Sequence, residues 1–303
     1  CAELERLRGQ IALEQRRSSD AARLLLGAAR ALEPADAGLA RETHFEALGA
    51  AIWAGDLASP GGARAAAEAA CAAPPGPEPP RAVDMLLEAL ATRLTKGYAA
   101  AAAAQARALE LLLAVNADTG DVGRWFWLAG GRANAVVALE LWDDESWHAL
   151  AARQVQAARD TGALVHLQYA LNFLASAHIL AGELTTAAQL VDEDRLIAQA
   201  AGNQPLGYTA MELAAWRGET APASELIEAT VAEATGRGQG RLVSFADYAS
   251  SVLHNGLGCH DAARDEARQA FEDDQRGSGP FVIPELAEAC LLYTSPSPRD
   301  RQK

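Results

Sequence analysis

The 303-residue chain is predicted to be all-α, a curved stack of antiparallel helical hairpins. Three observations predict it. A glycine-centred turn recurs about every 40 residues, Ala-rich amphipathic segments flank each turn, and runs of Val, Ile and Thr with period two are missing. Alanine is the best helix former and lets helices approach closely, so clusters such as residues 99–104 favour thin, tightly packed helices.

The turns set the order of the elements. The first lies at Arg17-Ser18-Ser19-Asp20, and the second, Gly55-Asp56-Leu57, follows about 37 residues later. Gly97-Tyr98 comes 42 residues after Gly55, and Trp142-Asp143-Asp144-Glu145 takes the same slot 45 after Gly97. Gly182, Gly218 and Gly258 continue at steps of 40, 36 and 40. Glycine accepts the left-handed conformation that ends one helix, and a following Asp, Ser or Thr caps the next. Helices joined this tightly run antiparallel.

The apolar faces match across each turn. Leu167, Leu171, Leu174 and His178 precede Ala187, Leu190, Val191, Asp194 and Ile197 at helical spacing. Tyr208, Met211, Leu213 and Trp216 precede Leu226, Ile227 and Val231, while Val243, Phe245, Tyr248 and Leu253 precede Ala263, Ala267, Ala270 and Phe271. One hairpin cannot bury its own apolar face, so stability comes from stacking neighbours. The expected architecture is a right-handed superhelix of seven hairpins, a tetratricopeptide-like α-solenoid.

Five prolines in Pro74–Pro80 exclude helix and read as a stiff connection between residues 1–73 and a main array at 81–289. Gly236–Gly240 and Gly277–Pro280 read as ordinary inter-repeat loops. Residues 290–303, with Pro296, Pro298 and Lys303, leave the Ala-rich pattern and read as a non-native tail. At the other end a helical pattern starts directly after Cys1. A lipidated cysteine would carry a polar tether, so this end reads as the interior of a longer protein.

The formal charge of −14, with 40 acidic and 26 basic residues, argues against direct nucleic-acid contact, which needs clustered Lys and Arg. Lys96 and Lys303 are its two lysines. The four cysteines show no ligand spacing, which fits a reducing cytoplasm, and no apolar stretch approaches membrane-spanning length. The expected location is cytoplasmic.

Catalytic chemistry is not expected. None of the six histidines forms an HExxH or an i, i+4 pair; His254, Cys259 and His260 flank one turn without completing a ligand set. The acidic groups Asp143-Asp144-Glu145, Asp192-Glu193-Asp194 and Glu272-Asp273-Asp274 read as solvated charge. No catalytic residue, metal or cofactor is assigned. Trp125, Trp127, Trp142 and Trp147 fall within 23 residues of a chain with six tryptophans. They read first as wide residues filling the joint between two halves of the superhelix. They are also the candidate patch for a ligand or partner.

Several stretches carry a resemblance beyond the repeat. Leu32–Thr43, Leu90–Ala99, Leu141–Leu150, Leu213–Gly218 and Ala249–Gly258 resemble the middle region of large ATP-binding LuxR-family transcriptional regulators of actinobacteria, relatives of the maltose regulator. The resemblance spans residues 2 to about 289. It implies an interaction and sensing region between a nucleotide-binding ATPase and a LuxR-type helix-turn-helix. Such a region takes a protein, peptide or small inducer and relays it to those domains. Neither a GxxxxGK[ST] loop nor a basic helix-turn-helix occurs here, so the family's ATPase and DNA-contact residues have no counterparts. A stand-alone tetratricopeptide interaction scaffold is the alternative, and an α-helical toroid enzyme comes third.

Overall fold

The computed structural model describes residues 2–57, 62–114, 134–202, 204–273 and 279–294, and among them every regular element is helical. The first pair is α1 (Ala2–Glu14) with α2 (Ser18–Leu32), and the second is α3 (Ala37–Ala54), followed by a 3-10 turn at Gly55–Leu57, with α4 (Gly62–Ala72). The third is α5 (Ala82–Lys96) with α6 (Tyr98–Ala114), and α7 (Asn134–Glu140) precedes α8 (Asp144–Thr161). Next come α9 (Leu164–Leu180) with α10 (Leu184–Ala201), and α11 (Gly207–Trp216) with α12 (Thr220–Arg237). Last are α13 (Gly240–Gly256) with α14 (His260–Asp273), and then α15 (Gly279–Thr294). Each of the seven expected turns falls between two consecutive helices.

Five of these turns share one hydrogen-bond pattern. The Gly182 amide donates to the Ile179 carbonyl at 2.9 Å and the Glu183 amide to His178 at 2.8 Å, which satisfies two carbonyls at the end of α9. Gly218 and Gly258 repeat it, with φ of 67° and 74°. Arg16 and Trp142 make the same turn without glycine, at φ of 60° and 57°. Trp142 is 60% exposed, so little packing offsets its strain. Asp143 then caps α8, accepting from the Ser146 amide at 3.0 Å.

Consecutive helices pack on one another. The first helices of successive pairs also meet, α9 on α11, α11 on α13, and α13 on α15, so they form the inner layer. One apolar cluster runs from Phe45 to Leu174 and another from Leu206 to Val282, and Tyr169, Leu242 and Phe281 pack against both.

The proline connection does not interrupt the stack, because α3 packs on both α4 and α5. Residues without N–H groups are fastened by a carbonyl instead. Arg41 donates to the Pro74 carbonyl at 3.2 Å and to Asp84 at 2.7 Å, and Arg81 reaches Asp84 at 2.8 Å and Glu42 at 2.5 Å. Burial opposes ionisation of Asp84, but the bonds from Arg81 and Arg41 outweigh it and hold its carboxyl below the usual range.

An open repeat array touches only its neighbours. Here α3 and the 3-10 turn also meet α13, and α7 meets α15. Gly240 marks the closest approach. A Cβ there would lie 2.5 Å from the Ala54 carbonyl oxygen and 3.1 Å from the Asp56 amide nitrogen. The Ser19 hydroxyl lies 2.8 Å from the Leu57 carbonyl and 3.2 Å from that of Gly238, and Arg16 donates to the Gln204 carbonyl at 3.0 Å.

Two expected loops are therefore corrected. Gly236 belongs to α12, Gly238 ends it in the left-handed region, and Gly240 opens α13 at the closure. Likewise Gly279 and Pro280 begin α15, where proline suits the first turn. The expected boundary at 289/290 falls inside α15, since Cys290, Leu291 and Leu292 sustain a helix as well as the residues before them.

Two substitutions test this account. Trp142→Gly removes a side chain from the left-handed region and should stabilise by about 0.5–1 kcal/mol, raising the urea midpoint. Gly240→Ala should destabilise by roughly 1–3 kcal/mol because the new Cβ meets backbone. An array open at this point would respond with the opposite sign, since Ala is the better helix former.

Candidate functional site

The closure gives the inner helices a shared centre. Trp53 of α3, Phe173 of α9, Tyr208 of α11, Phe245 of α13 and Phe281 of α15 line a cleft of about 550 Å³, with Val136 and Leu139 of α7 completing the wall. Trp147 of α8 lines it too. A second cleft of about 580 Å³ shares Trp53, Tyr208 and Leu242 and extends to Arg16 and Glu233.

Phe281 organises the aromatic wall. Its ring centroid lies 5.7 Å from Trp147, edge to face, 6.0 Å from Phe245 and 5.5 Å from Tyr248. The pairs with Trp147 and Phe245 are edge to face, which ring quadrupoles favour. Arg241 lies 5.7 Å from the Trp53 ring and is the charged side chain among those lining the 550 Å³ cleft.

Trp53 and Trp147 are 9% and 6% exposed, and neither indole N–H has a hydrogen-bond partner. Trp216 differs, donating its indole N–H to the Tyr248 hydroxyl at 3.2 Å.

Behind the aromatic wall runs a polar stripe. Gln168, Asn172 and Ser176 repeat every four residues along one face of α9, and all are buried. Gln168 donates to Asp194 at 2.9 Å, and the Leu206 amide reaches the other Asp194 oxygen at 2.9 Å. Burial pushes the Asp194 carboxyl up, against those bonds. Ser176 donates to Glu212, which is fully buried in α11. Burial raises Glu212 to about 8, with only the Ser176 bond opposing. Glu212 is thus protonated at neutral pH.

The sequence candidates separate. Trp125 and Trp127 lie outside the described residues. Trp142 sits exposed at a turn, so filling a joint does not describe it, whereas Trp147 is buried in the cleft wall. Of the acids read as solvated, Asp192 is exposed beside Arg195 and Glu193 is half-buried beside Arg159, but Asp194 is buried, facing Gln168 and the turn before α11. His254 pairs with Glu266 at 2.7 Å, Cys259 is exposed, and among the described residues no three ligating side chains gather.

Residues not singled out for a site carry most of it: Trp53, Ser176, Glu212 and Phe281. Glu212 had a visible signal, being one acid in the otherwise uncharged ten-residue segment Gly207–Trp216. The Gln168, Asn172, Ser176 spacing was another. Comparison with protein-family models, with curated proteins and with solved structures finds no match.

The raised Glu212 carboxyl gives a signed prediction. Between the ordinary value of 4.5 and about 8 the folded state holds a proton that the unfolded state releases, so stability falls as pH rises through that window. Glu46, Asp194 and Glu285 are raised as well and add to the same slope. Glu212→Gln should flatten the slope and stabilise the fold at pH 8 by a few kcal/mol, read from denaturant midpoints at a series of pH values.

Proposed function

We propose that the chain is the helical-repeat sensing region of a larger cytoplasmic regulator, and that a small molecule occupies its central cleft. The convergence of α3, α9, α11, α13 and α15 on one aromatic cleft supports this reading most directly. A ligand held there touches helices from both sides of the closure. It favours the closed arrangement to the extent that it binds that state better than one in which α3 and α13 part. In the full protein, that preference is what flanking ATPase and helix-turn-helix domains would receive.

The finer architecture in this reading is a right-handed tetratricopeptide-like superhelix drawn tight enough for its ends to meet. Repeated hairpin turns and the inner layer of first helices support it. The regulator context rests on the resemblance of Leu32–Thr43, Leu90–Ala99, Leu141–Leu150, Leu213–Gly218 and Ala249–Gly258. The reading assigns this chain no catalytic residue, cofactor or nucleic-acid contact.

One observation favours a protein-interaction scaffold as the second reading. Leu4, Leu7 and Ile11 of α1 are 48%, 52% and 48% exposed at helical spacing, an apolar stripe of the kind a partner helix covers.

Sequencing the gene beyond both ends separates the two. The regulator reading expects a phosphate loop upstream and a basic helix-turn-helix downstream. Stop codons close to residues 1 and 290 would overturn it.

A further inference from the structure

We infer that the edge carrying the turns at Trp142, Gly182, Gly218 and Gly258 docks an extended, basic segment of a partner protein, with a large apolar side chain at about every third residue. This surface lies outside the central cleft and is independent of what the cleft binds.

The register of the helices sets the four turns in a row. Ser176 of α9 donates to Glu212 of α11, and each stands six residues before its turn glycine, so those two turns lie side by side. Arg217 reaches across them to the Leu184 carbonyl at 3.1 Å. Near the starts of α11 and α13, Tyr208 meets Phe245 edge to face at 6.4 Å, which puts the Gly258 turn at the same end as Gly218. On the other side the His148 ring of α8 lies 5.1 Å from that of His178, bringing the Trp142 turn alongside Gly182.

Each turn exposes a large apolar side chain: Trp142 at 60%, Leu180 at 42%, Trp216 at 40% and Leu257 at 46%. Apolar residues scattered singly on a surface need no explanation, but one at the same place in four consecutive turns forms a patch. Trp142 is the sharpest case. It adopts the left-handed conformation at a steric cost that the turn glycines avoid, and little packing offsets that cost. A costly residue that the fold does not use points to a use outside the fold. Trp216 is already fixed for contact by its bond to the Tyr248 hydroxyl.

Charge selects the occupant. Asp144, Glu183, Glu219 and Asp261 stand exposed where the helices after the four turns begin. A helix start favours acids on its own account, but the apolar row beside them gains nothing from that. Arg217 and Arg264 offset part of the charge, 3.8 Å from Glu219 and 3.4 Å from Asp261, and the acids outnumber them. Such an edge repels a second copy of itself, a nucleic acid and an anionic membrane, and attracts a basic chain. Packed helices stand about 8–10 Å apart and an extended chain advances about 3.3 Å per residue, so every third side chain meets a turn.

Fluorescence anisotropy on the full chain tests the match with four labelled peptides. They are four Leu-Arg-Arg repeats, four Ser-Arg-Arg repeats, four Leu-Glu-Glu repeats, and an isomer of the first with its leucines together. The first should bind about tenfold tighter than the second and the isomer, and the acidic peptide should not bind. Trp142→Gly and Leu257→Ser alter exposed side chains, and circular dichroism checks that each variant is folded. Each should weaken the Leu-Arg-Arg peptide by about fivefold or more and leave the Ser-Arg-Arg peptide within about twofold. In Trp142→Gly that loss should accompany a more stable fold, which a purely structural role for the side chain does not produce. Equal binding of the Leu-Arg-Arg and Ser-Arg-Arg peptides, affinity unchanged in both variants, or no binding at all overturns the docking surface. Equal binding by the isomer overturns the three-residue register. Self-association, or binding to phosphatidylcholine vesicles, that Trp142→Gly abolishes overturns the basic partner in favour of a second copy or a neutral membrane.

Discussion

Gly240 lies so near the Ala54 carbonyl that only a hydrogen fits between them, and the centre of the molecule is arranged around that approach. The contact is backbone against backbone, which no side-chain adjustment relieves. It brings Trp53, at the end of α3, into the same wall as Tyr208 and Leu242. Polar contacts from Arg16 and Ser19 fasten the rim. In an array held only by nearest neighbours, the inner layer borders a broad, wet groove. Here α3 and α13 touch directly, and Trp53 shares a cleft with Tyr208 and Phe245.

Burying the inner layer raises the question of its polar groups, and the chain answers it in two ways. Near the proline connection the charges are kept and paired: Asp84 lies between two guanidinium groups and stays ionised. Near the centre, Glu212 has no cation and is neutralised by holding its proton. A paired site must keep its geometry to offset desolvation, while a protonated acid needs only a hydrogen-bond partner. Ser176 is that partner. The α9 stripe therefore crosses an apolar interior without an ionised side chain of its own.

The hairpin turns were legible because their chemistry is local. A left-handed residue closing a helix selects glycine, and Gly182, Gly218 and Gly258 announce it. Trp142 was placed by spacing alone, and it adopts the same conformation at a steric cost. The closure was not legible. Gly240 stands among glycines that suit any loop, and the atom it must avoid belongs to Ala54, far away in the chain. Nothing local distinguishes a glycine needed for a turn from one needed for a distant contact. The site followed the same division. Trp147 was noticed because it lies near other tryptophans, whereas Trp53 and Phe281 join it only through long-range packing. Asp194 carried two readings: helical spacing with Leu190, Val191 and Ile197 put it on the buried face, while the run of acids put it with solvated charge, and the structure follows the spacing.

A stack whose ends do not meet can gain or lose a unit freely, since each addition repeats the same interface. Duplication and deletion are the ordinary way such proteins diversify. The meeting of α3 with α13 withdraws that freedom. One pair more or fewer between them would carry Gly240 past Ala54 and Trp53 away from Tyr208, so the number of pairs is fixed by geometry in the way a barrel fixes its strands. Changes in the turns and in the side chains facing the cleft leave that meeting in place, whereas a change in the number of pairs does not.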